Sequence, residues 1–136
     1  MRTRVLLIAV ILLGSLAGCA NPRRETELSR LPETRKAAAH ELQQVLSEQA
    51  VATRDVRVED DHMAWRAAPM PALADAVWTE RTLDFAEVLG VANLVEHRSG
   101  WVLSVEASGG QVSFFVAERL GALRARAALL RLAMPD

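Results

Sequence analysis

Two glycine-marked turns near the C-terminus constrain this chain most. Trp101, Leu103 and Val105 occupy every second position, Ser108-Gly109-Gly110 interrupts, and Val112, Phe114 and Val116 resume the alternation. A period of two puts each trio on one side of a pleated strand. Glycine accepts positive φ without steric penalty, so the interruption closes an antiparallel hairpin. Ser99-Gly100 makes an equivalent turn after a strand over Val91 to His97, and the three strands together predict a meander.

The flanks read differently. Pro32 suits a first helical turn, where its missing N–H costs nothing. From Glu33 to Gln49 the period is helical: Ala38, Leu42, Val45 and Gln49 line one face with Leu46 beside them, and Glu41, Gln44 and Glu48 face away. Val56 and Val58, then Met63, Ala64 and Trp65, flank the acidic turn Glu59-Asp60-Asp61, which reads as a hairpin. After a loop with Pro69 and Pro71 comes a strand around Val77 to Phe85, with a short helical turn over Phe85 to Leu89. The end is an amphipathic helix over Ala117 to Ala133. Leu120, Leu123, Ala127, Leu130 and Met134 recur at spacings of 3 and 4, so this stripe is expected on the sheet and Leu129 and Leu132 on the outside. The sum is one α+β domain over residues 32–136: an antiparallel sheet of about six strands with a helix at each end.

A basic start (Arg2, Arg4), an unbroken apolar run from Val5 to Leu13 and a small-residue stretch precede that domain, the layout of a secretory signal peptide. Val5 to Gly18 is 14 residues, short of the roughly 20 a membrane-spanning helix needs. Leu16-Ala17-Gly18-Cys19 resembles the lipobox of bacterial lipoproteins. The resemblance implies cleavage before Cys19, acylation of its thiol, and a mature chain whose first residue carries the lipid. An ordinary signal peptide, cut near Ala17 or Ala20, is the alternative. Buried acyl chain contributes about 0.8 kcal/mol per methylene, and the three chains the resemblance implies would make release negligible. Ala20, rather than Asp, follows the cysteine; by the same resemblance this favours the periplasmic face of the outer membrane over inner-membrane retention. Residues 19–31 then form the lipidated cysteine and a polar tether, roughly 40 Å when taut.

The order hairpin, strand, meander and closing helix resembles the pleckstrin-homology-like fold over Thr82 to Leu132. The residues carrying it are Leu83-Asp84-Phe85 before a short turn, the hairpin at Gly100-Trp101 and the helix after Phe115. The resemblance implies a bent sheet plugged at one end by the last helix. The chain departs from it in having six expected strands instead of seven, and a helix ahead of them.

Composition narrows the functions. Cys19 is the only cysteine, so no internal disulfide can form and packing must supply the stability. Without Arg2 and Arg4 the 16 basic residues become 14 against 17 acids, a net −3, which does not suggest a nucleic-acid partner. His40, His62 and His97 are not at metal-ligand spacing from one another. Glu59-Asp60-Asp61-His62 is the densest cluster of potential ligands, but adjacent strand residues point to opposite faces, and a solvated hairpin tip accounts for it. Ser99 and Ser108 lack a nucleophile-elbow setting. No catalytic residue, metal site or cofactor is expected, and the chain does not read as an enzyme.

What remains is surface. Trp78 is out of phase with Val77, Leu83 and Phe85, and Phe115 breaks phase between Phe114 and Val116; each is expected either under the first helix or on a binding face. Trp78, Leu129 and Leu132 are the candidate interaction surface, for a protein partner or a second copy, because a helix apolar on two sides has two neighbours. The leading expectation is a membrane-anchored interaction or scaffold module in the periplasm. The alternative is a periplasmic binder of a small apolar or lipid-like ligand, held in a pocket between the sheet and a helix.

Overall fold

The first helix, α1 (Arg35–Gln49), begins where a side chain can satisfy its open end. The Thr34 hydroxyl accepts a hydrogen bond from the Ala37 N–H at 3.0 Å, which makes Thr34 the N-cap. Pro32 therefore lies two residues ahead of the cap and not in the first turn. The computed structural model describes residues 30–69, 75–98 and 100–135. The expected signal peptide, the lipobox-like segment with Cys19 and nearly all of the expected tether lie outside them. The face of α1 read from the spacing is the buried one: Ala38, Ala39, Leu42, Val45 and Leu46.

The α+β class holds, but among the described residues eight strands follow, not six, and they form two sheets, not one. Strands β1 (Ala50–Val51), β2 (Thr53–Val58), β3 (His62–Ala67) and β4 (Thr79–Asp84) come first. A 3-10 turn (Phe85–Glu87), β5 (Val88–Val91), β6 (Val95–His97), β7 (Gly100–Ala107) and β8 (Gly110–Val116) lead to the last helix, α2 (Arg119–Ala133). One sheet has the order β1-β8-β7-β5, with β6 also on β7; the other is β2-β3-β4, and every pairing is antiparallel. The extra strands come from two corners. Ala52, at φ 55°, turns the chain out of β1 and into β2 and so from one sheet to the other. The expected strand from Val91 to His97 breaks at Ala92–Leu94. There Arg126 of α2 donates to the Ala92 carbonyl at 2.9 Å and to Asn93 Oδ1 at 3.3 Å, giving polar groups of the break a partner.

The acidic hairpin forms as the alternation predicts. Glu59 N–H meets the His62 carbonyl at 2.8 Å across the tip, and Met63 and Trp65 point inward. The strand expected from Val77 starts only at Thr79, leaving Val77 76% exposed ahead of it. Phe85 opens the short turn, which Asp84 caps by accepting from the Ala86 N–H at 2.9 Å. The free edge of β4 carries Glu80, Arg81 and Asp84, charges that oppose edge-to-edge pairing.

The largest departure from expectation is the rotation of α2. Leu129 is 0% and Leu132 1% exposed, in the centre of the core, whereas Met134 is 45% exposed and Leu120, Leu123 and Leu130 are half-buried. The buried residues are Gly121, Ala122, Ala125, Ala127, Ala128, Leu129 and Leu132, so Ala127 alone of the expected stripe is fully inside. The second neighbour that the two-sided helix calls for is α1 of the same chain. Small residues permit the approach: a Cβ on Gly121 would run into the Gln49 carboxamide. Side-chain size favoured the leucine-rich stripe in the sequence, but a helix–helix seam selects the stripe whose small residues let the backbones come close. Glu41, expected to face away, instead pairs with Arg124 of α2 at 2.6 Å. At the other end of the helix pair, Arg35 donates to the Leu132 and Met134 carbonyls (2.9 and 2.8 Å) and to the Asp60 carbonyl, tying α1, the end of α2 and the hairpin tip together. The last helix thus belongs to a helix pair, unlike the lone plug that the pleckstrin-homology-like resemblance implies.

Candidate interaction surface

The expected surface does not assemble. Leu129 and Leu132 are core residues and cannot meet a partner without unfolding the domain. Trp78 is half-buried, with the Arg54 guanidinium 4.0 Å above its ring, so a cation covers part of its face. Cys19 lies outside the described residues.

A different apolar surface lies on the larger sheet. The inner face carries Leu103, Val105, Phe114 and Val116, all at most 1% exposed. Residues between them must point the other way. The register aligns Val95 with Val102, Val102 with Phe115, and Phe115 with Val51. Directly paired residues share a face, so these four form one continuous row across β6, β7, β8 and β1. Val95 is 61% and Val51 39% exposed; Phe115 and Val102 between them are half-buried.

Local geometry holds the row in place. The Phe115 ring lies over Gly100, where a Cβ would come within 2.7 Å of Phe115 Cε1 and 2.6 Å of the Val116 carbonyl oxygen. The His97 ring meets Phe115 edge-on, centroids 5.3 Å apart at 84°, a favoured aromatic arrangement. Next to the row, Ser104 and Ser113 hydrogen-bond to each other at 3.0 Å across β7 and β8. On that same flank a groove of about 200 Å³ opens between the two sheets, lined by Val51, Thr53, Ala67, Val102, Ser113 and Phe115 together with Trp65 and Phe114. Trp65 and Phe114 pack against each other at 5.0 Å and join the two sheets.

Phe115 was the sequence's one visible pointer to this surface, because it breaks the phase of β8. It is on the outer face, not under α1. Val51 and Val95 carried no such signal: only the strand register brings them into line.

The remaining candidates fall elsewhere. Glu59, Asp60, Asp61 and His62 form an exposed hairpin tip in which His62 Nδ1 lies 2.6 Å from Asp61 Oδ1. That hydrogen bond holds the Asp61 carboxyl below its ordinary value of 3.8. Among the described residues, no group of three His, Cys, Asp or Glu side chains is placed to hold a metal ion. None of the described helices is long and apolar enough to cross a membrane. The sheet–helix interface, where a ligand pocket was the alternative expectation, is filled by Leu42, Leu46, Leu103, Val105, Ala125 and Leu129, all at 0% exposure. No protein family, curated protein or solved structure matches the chain.

Proposed function

We propose that the protein is a bacterial lipoprotein, anchored through acylated Cys19 at the periplasmic face of the outer membrane, whose α+β domain serves as a docking module for a protein partner. The observation that carries this reading is Leu16-Ala17-Gly18-Cys19 after a basic start and an apolar run. The lone cysteine sits where that layout requires the acylated residue. The apolar row on the larger sheet supports the docking part, since it is an exposed apolar feature spanning four strands, and such features mark interaction sites. The role does not require Leu129 or Leu132, which serve the core.

Mass spectrometry of the mature N-terminus tests the anchor. The expected species begins at Cys19 and carries the mass of its acyl chains. In cells, Cys19→Ser is expected to lose the lipid and accumulate uncleaved. A Cys19→Ser chain that is cut normally and found freely soluble outside the cytoplasm, with its partner interactions intact, would refute the proposal.

A further inference from the structure

We draw no further inference here: the strongest candidate, the apolar row Val51–Phe115–Val102–Val95 across the outer face of the larger sheet, carries nothing because nothing in the structure shows what covers it.

Discussion

The two faces of the larger sheet are built from the same kinds of residue and have opposite fates. Leu103, Val105, Phe114 and Val116 are sealed under the helix pair and the second sheet; Val51, Val102, Phe115 and Val95 run across the other side, partly open to water. Strand alternation separates the two sets but does not say which is the inside. The helices decide it. A half-buried strand normally shows apolar residues on one face and polar on the other. β7 and β8 keep that rule where Ser104, Ser113, Glu106 and Gln111 lie, and break it along the row. Apolar residues on the open face add little to folding, so their presence points to use rather than to stability.

That contrast can be broken by substitution. Truncating the inner side has the largest expected effect: Leu129→Ala empties a fully buried site and should cost about 2–5 kcal/mol, read from urea unfolding. If it costs less than about 0.5 kcal/mol, typical of a surface change, the rotation of α2 described above is wrong. Gly100→Ala joins the two faces. The added methyl would press on both the Phe115 ring and the Val116 carbonyl, for an expected loss of about 1–3 kcal/mol. Val95→Ser removes an outer apolar residue and should change stability by no more than about 0.5 kcal/mol. The smallest effect belongs to a site on neither face. Asp61 has its carboxyl pKa lowered by the His62 hydrogen bond, so its contribution is present above the ordinary value of 3.8 and lost as pH falls through the lower folded value. The stability difference between the parent chain and Asp61→Asn should therefore be measurable at pH 6 and vanish in strong acid; a difference that instead grows below pH 3.8 would contradict the assignment.

Much of the architecture was legible because local patterns carry it. The meander, the acidic hairpin, the buried stripe of α1 and the short turn at Phe85 all follow from periods of two or 3.6 and from turn residues. Strand number failed at Ala52 and at Ala92–Leu94. An alanine at positive φ carries no local sign of its conformation, and the second break is held by Arg126, 33 residues or more away in the chain. The candidate surface failed for a related reason. Leu129 and Leu132 satisfy helical periodicity as well as the stripe read in their place, and periodicity alone does not rank two stripes. Trp78 was read as out of phase in a strand that begins only at Thr79, and its covering partner Arg54 lies in β2.

Residue order alone determined both helices, the acidic hairpin, the meander turns and the lipobox-like pattern at Leu16–Cys19, since each depends on neighbours within a few positions. Tertiary structure decided which side of α2 is inside, how the strands divide into two sheets, and that Val51, Phe115, Val102 and Val95 stand in line. Those outcomes depend on contacts between segments far apart in sequence, where the packing of Gly121 against the Gln49 carboxamide and the strand register select among patterns that are locally equivalent.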